Sequence, residues 1–267
     1  MRFYDNVPIL SFFILGGRCR FCRAPISWRY PVVEALNGAL WALMAYRFGV
    51  NASSAVMCLT ASVLVVVTFI DLDHQIIPDA ISIPGAPIAI LVGSFLVVDV
   101  FDPHLPLGIR GSLMGAATGY GLFSLIFWLS FFYYGRPPFS MRLVGEVLLY
   151  LLFGPFIWTW EFLREAFGRK TESVVDEEDG EEATGQGLGM GDVKLMTMLG
   201  GLIGWKGVLV TTFSGSVFGS IAGLVLILSK GGGRKSKVPF GPFLSLGALI
   251  SILLGDRIIG WYMGYGP

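Results

Sequence analysis

Apolar runs of about twenty residues recur along this chain, at roughly 31–50, 52–70, 81–100, 108–134, 207–229 and 239–260. That is the length the hydrocarbon core of a bilayer demands of a helix. No other feature constrains the fold as much, because in lipid each backbone polar group must find its partner inside its own structure, and runs of this length do so as helices. The composition agrees: 54% hydrophobic, 14% charged and 36 glycines, far more apolar than an ordinary soluble domain. The chain reads as an all-α polytopic integral membrane protein. A shorter apolar segment after Asp192, reaching about Trp205, brings the expected total to about seven transmembrane helices.

Lys plus Arg and Asp plus Glu stand at 19 each, so net charge points to no nucleic-acid partner, and only the placement of charge informs. Residues 1–30 carry Arg2, Arg18, Arg20, Arg23 and Arg29, and the loop before the last span carries Lys230, Arg234, Lys235 and Lys237. Positive charge marks the cytoplasmic side of such segments. The expected organisation is a cytoplasmic segment at 1–30 and a membrane domain at 31–267 in contact with lipid, with an inserted cytoplasmic or interfacial region at about 136–186. Inside that insertion the uninterrupted apolar part, Val147 to Trp160, has only 14 residues and contains Gly154-Pro155, which suits an interfacial or re-entrant stretch better than a span. The acidic run Asp176 to Glu182 suits a solvated loop.

Two stretches place carboxylates at span boundaries. One is Asp71-Leu72-Asp73-His74-Gln75-Ile76-Ile77-Pro78-Asp79, the other Gly187-Leu188-Gly189-Met190-Gly191-Asp192-Val193-Lys194. A charged side chain in a membrane segment costs roughly 2.5–3.5 kcal/mol on insertion scales, so it is a functional-site candidate whose partner should be named. Counting spans puts Asp71 and Asp192 on the same face, so each is the other's candidate partner. Two aspartates held close together share a proton and titrate as a pair, one accepting a proton from water while the other donates. Peptide hydrolysis without a metal or a covalent intermediate needs that pairing. Gly189 and Gly191 would let a substrate strand approach the backbone. The bland alternative makes Asp71 and Asp192 interfacial helix caps, Asp73 and Asp79 loop or Asx-turn residues, and Glu34 a first-turn helix stabiliser.

As a set, these motifs resemble the type IV prepilin leader peptidases, membrane aspartic peptidases of the G-x-G-D type that also act as N-methyltransferases. The resemblance rests on Asn6-Val7-Pro8-Ile9-Leu10-Ser11, Gly17-Arg18-Cys19-Arg20-Phe21-Cys22 and Arg29-Tyr30-Pro31-Val32-Val33-Glu34, then the Asp71–Asp79 stretch, Gly189-Met190-Gly191-Asp192-Val193-Lys194-Leu195 and Pro239-Phe240-Gly241-Pro242-Phe243. It implies that Asp71 and Asp192 are the catalytic pair, with Gly189, Gly191, Asp73, Asp79 and Lys194 in support. It implies prepilin or pseudopilin substrates cut on the cytoplasmic side of the bacterial inner membrane, after a leader glycine. S-adenosylmethionine would then methylate the new N-terminal residue, commonly Phe, and Asn6, Gly17 and Arg18 match the region linked to that activity. Peptidase activity itself needs no cofactor.

The pattern departs from the family in two places. Cys19 and Cys22 form a C-x-x-C, a spacing for a metal or a redox pair, but family members of the bifunctional type carry an earlier span and a first C-x-x-C. Two thiolates make half of a tetrahedral zinc site, while Cys58 lies mid-span as a small packing residue. The expectation is that the missing segment precedes Met1, for eight spans in all; zinc shared between two chains and no zinc are the alternatives. The second departure is the insertion between the fourth span and Asp192, open to reading as a lid, a docking segment or a neutral expansion. Outside the peptidases, a proton- or ion-coupled transporter would use Asp71 and Asp192 to carry the ion, but such groups are usually near the midplane in repeat-related helices. A membrane assembly factor with two capping aspartates is the third class.

Overall fold

The computed structural model describes residues 7, 9–102, 104–135, 153–161, 163–164, 189–230 and 239–264. Every regular element among them is helical, with two isolated β-bridges, Arg18 to Pro25 and Val98 to Pro106. The order is α1 (Leu10–Ile14), α2 (Arg29–Phe48), α3 (Ala52–His74), α4 (Asp79–Phe95), α5 (Gly108–Gly135), α6 (153–161), α7 (Met190–Lys230) and α8 (Gly241–Tyr262). Four of them, α3, α5, α7 and α8, are long and apolar enough to cross a membrane by length and composition.

Two compact units divide the chain at Val66/Val67, inside α3. In the first, Gly49 ends α2 in a left-handed conformation, φ 75°, and Asn51 caps α3 by accepting the Ser54 N–H at 2.8 Å, the arrangement that satisfies an orphan donor in a first turn. Polar groups on the two helices find one another: Trp41 Nε1 donates to Ser62 Oγ, which donates to Asn37 Oδ1, both at 2.9 Å. Glu34 accepts the Ile9 N–H at 2.6 Å, so the carboxylate expected to serve its own helix anchors the preceding segment instead. The run read as a span at about 31–50 is a 20-residue helix, but α2 is not among the four that meet the length and apolarity for crossing.

The second unit is built on α7, which packs against α4, α5 and α8. Lipid tails are as apolar as leucine, so helices in a membrane associate through close packing, and small residues make close packing available. A Cβ on Gly119 of α5 would overlap the Met196 carbonyl oxygen, with its carbon only 2.8 Å away. A Cβ on Gly115 would come within 2.6 Å of the Gly204 Cα, and one on Gly93 of α4 would meet Ser112 Oγ at 2.6 Å. The small residues of α4 and α5 thus let these helices approach their neighbours closely.

Where the apolar run at 81–100 predicts a span, α4 is shorter, 17 residues ending at Phe95. Residues 97–107 close a turn: the Asp99 N–H donates to Leu105 O at 2.8 Å, Leu107 N–H to Val97 O at 3.0 Å, and the Asp99 carboxylate accepts the Phe101 N–H at 2.8 Å. Those bonds replace the helical ones. α7 has a break of its own at Gly204, φ 69° and ψ 175°, a conformation open to glycine alone. Before the break Met196 and Gly200 lie against Gly119 and Gly115 of α5, and after it Thr211 and Gly215 lie against Gly247 and Phe243 of α8. Gly119→Ala should destabilise the fold by about 1–3 kcal/mol, whereas Gly121→Ala, with nothing within 4 Å of its Cβ position, should stabilise it by about 0.5–1 kcal/mol; thermal unfolding in detergent compares the two.

Candidate active site

Four helix ends meet at one end of the second unit: the C-terminus of α3 and the N-termini of α4, α7 and α8. Asp71 is in the last turn of α3 and is 5% exposed. A carboxylate there faces the negative end of its own helix dipole, an unfavourable position that another element must offset. α8 does so: the N–H of Gly241, its first residue, donates to Asp71 Oδ2 at 2.9 Å. Only glycine fits this contact, since a Cβ at 241 would stand 2.7 Å from that oxygen and 3.1 Å from Cγ.

Asp192 is the third residue of α7 and is 6% exposed. Its Oδ2 accepts the N–H of Gly189 at 3.1 Å, the reach-back half of a capping box. It is therefore a helix cap, as the bland reading has it, yet Asp71 is not a cap of its own helix. The two buried carboxylates predicted from sequence lie at the same end of the bundle, each with one oxygen on a backbone N–H.

The glycines divide by role. A Cβ on Gly191 would sit 2.9 Å from the Cβ of Ile77, so this position is small because the connection between α3 and α4 packs on it. Gly189 has no such neighbour: its Cβ would meet Asp192 Oδ2 at an ordinary 3.5 Å. That connection leaves α3 through Gln75, held left-handed at φ 56°, and enters α4 through extended Pro78. Asp79 opens α4, and both its oxygens accept from Lys194 Nζ at 2.7 Å. With Asp79 half exposed, such a pair adds about 0–1 kcal/mol of stability. Asp73 and His74 are exposed at the end of α3.

Sequence reasoning missed Trp158. It lies within the apolar stretch judged too short to span; residues 153–161 of that stretch form α6, while 147–152 and 165–186 lie outside the described residues. Trp158 is buried, packs edge-on against Tyr120 of α5 at 5.5 Å and lies under Lys194 Nζ at 5.5 Å. A cavity of about 280 Å³ opens beside it, lined by Ile83, Pro87, Pro155, Phe156 and the Lys194 stem among others. Part of the predicted insertion therefore packs into the bundle, and no periodicity in the sequence says so.

In the first unit Asn6 lies outside the described residues. Gly17, at φ 68°, is taken up by a turn: its N–H donates to Phe12 O at 2.9 Å, its carbonyl accepts the Ile26 N–H at 2.8 Å, and the Phe12 ring fills the space of its missing Cβ at 3.2 Å. Arg18 is exposed. These bonds and the Phe12 contact account for the conformation of Gly17. Cys19 and Cys22 are thiols, and among the described residues no group of three or more His, Cys, Asp or Glu gathers as metal ligands. The pair remains two ligands of the four that structural zinc takes.

Residues 1–48 match the bacterial peptidase A24 N-terminal domain, and residues 58–224 match the type IV leader peptidase family. Among similar proteins, the prepilin leader peptidase/N-methyltransferase of Aeromonas salmonicida is 30% identical over 260 residues, 97% of this chain and 69% of the relative. The proteins of that name from Legionella pneumophila and Pseudomonas aeruginosa are 29% and 26% identical, over 98% and 99% of this chain and 71% and 72% of theirs. No solved structure matches the chain. From the packing at Gly191, Gly191→Ala should cost about 1–3 kcal/mol, and Ile77→Ala in the same chain should recover most of the loss. A double-mutant cycle on thermal unfolding reads the coupling, and strictly additive effects would refute the contact.

Proposed function

The chain belongs to the type IV leader peptidase family, and from that premise we propose that it hydrolyses prepilin or pseudopilin leaders with Asp71 and Asp192 as the catalytic pair, on the cytoplasmic side of the membrane. It is a multi-pass membrane peptidase that cleaves leader peptides. The observation that carries the finer reading is the placing of two buried carboxylates from distant stretches at one end of the bundle, each held by one backbone N–H.

In this reading a water molecule lies between the carboxylates. The ionised partner takes a proton from the water as the water oxygen adds to the scissile carbonyl carbon, and the protonated partner gives its proton to the carbonyl oxygen. As the tetrahedral species collapses and the C–N bond breaks, the proton taken from water passes to the leaving amine and one hydroxyl proton returns to the partner that donated, which restores the pair. Each aspartate has one oxygen fixed on a helix N-terminus and exchanges protons through the other. Holding both in place before substrate arrives removes reorganisation from the reaction itself.

The reading extends to about seven spans with a cytoplasmic N-terminal segment. Methylation of the new N-terminus from S-adenosylmethionine follows the relatives' names. The cofactor would supply the methyl group; the residues that would bind it are not assigned, and zinc enters no step.

Co-expression with a prepilin tests the pair. Asp71→Asn and Asp192→Asn should each slow leader removal by about 10²–10⁴-fold or more, read as loss of the processed band, and unaltered processing by either variant would sink the dyad. For the side of the membrane, Asp73→Cys in a chain lacking Cys19, Cys22 and Cys58 should react with an impermeant thiol reagent in inside-out vesicles and stay unlabelled in right-side-out ones.

A further inference from the structure

A short route through the structure joins the two aspartates. From Asp71 the chain passes Gln75 and Pro78 to Asp79; Asp79 holds Lys194 through both oxygens at 2.7 Å; Lys194 is two residues from Asp192. At about 100° per residue those two positions on α7 lie on nearly opposite faces. A grip on Lys194 therefore holds the back of the turn whose front bears Asp192.

Lys194 is itself held on several sides. Only 12% of its side chain is exposed, its ammonium lies over Trp158, and its stem lines the apolar cavity beside Ile83 and Pro87. Asp79, as the first residue of α4, stands at the positive end of a helix dipole, where a carboxylate is favoured. Ile77, packed on Gly191, ties the same connection to the same turn by a second contact.

We propose that the Lys194–Asp79 pair, seated on Trp158, is a positioning device of the peptidase: it fixes the α3–α4 connection to the first turn of α7 and so sets the spacing of Asp71 and Asp192. This rests on the catalytic pair proposed above. Lys194 and Asp79 exchange no proton with substrate and need not touch it. A misplacement of about 1 Å costs on the order of 10²-fold in rate, so the pair matters through geometry.

The test uses the full chain in detergent, with a synthetic prepilin segment that contains the leader and the apolar residues after it. Asp79→Asn and Lys194→Met should each lower kcat by about 10²-fold with KM unchanged. Lys194→Arg should recover most of kcat, since a guanidinium holds both oxygens of a carboxylate, and thermal unfolding of all three should stay close to that of the unaltered chain. Full kcat in Asp79→Asn and Lys194→Met would overturn the proposal. So would a raised KM at unchanged kcat, which marks a substrate contact, and so would a loss explained wholly by less folded protein. Asp71→Asn and Asp192→Asn run in the same assay: if they still cleave, the dyad itself has failed, whereas dead aspartate variants beside fully active pair variants refute the positioning role alone.

Discussion

Helices that share a bilayer gain little by hiding side chains from water, so what holds them is the fit of one backbone against another. In the second unit that fit is concentrated on α7. Gly93, Gly115 and Gly119 bring α4 and α5 onto it so closely that a single methyl group would strike backbone or a buried hydroxyl, and Gly247 of α8 faces Thr211 and Gly215 in the same manner. The carboxylates depend on this. A side chain at the end of a helix is placed no better than the helix itself, and α7 is located by contacts that leave it almost no room to slide.

Asp71 shows how such a frame accommodates an unfavourable group. A buried carboxylate at a helix C-terminus opposes the local field, and the first N–H of α8 offsets it across 170 residues of sequence. Asp192 needs no distant help, because the start of its own helix supplies both the dipole and the Gly189 N–H. The two halves of the site are thus stabilised by different means, one local and one long-range. The geometry at Asp71 is the more exposed to change elsewhere in the chain, since anything that shifts the start of α8 shifts its hydrogen bond.

That difference also decides what could be read from sequence. Asp71, Asp192 and the glycines before Asp192 stand out because each is costly or unusual where it lies, and cost is a local property, whereas Asp79 and Lys194 entered only through the family's motif. Gly241 was visible as part of a Pro-Phe-Gly-Pro-Phe string, but its contact with Asp71 is a matter of tertiary approach, which spacing does not encode. Trp158 was hidden by a rule that holds for spans and says nothing of a short helix wedged between others. The end of α4 was overrun because Leu96 to Val98 are apolar; their backbone bonds go to a turn, and hydropathy does not distinguish the two.

The left-handed residue at Gly204 has a consequence for the surrounding lipid. It limits the first limb of α7 to residues 190–203, about 21 Å at 1.5 Å per residue, and the neighbouring α4 has 17 residues, about 25 Å. Both fall short of a hydrocarbon core of about 30 Å. A helix of that length meets a bilayer by local thinning, by snorkelling of flanking side chains or by contact with neighbouring protein, and not by tilting, which would deepen the deficit.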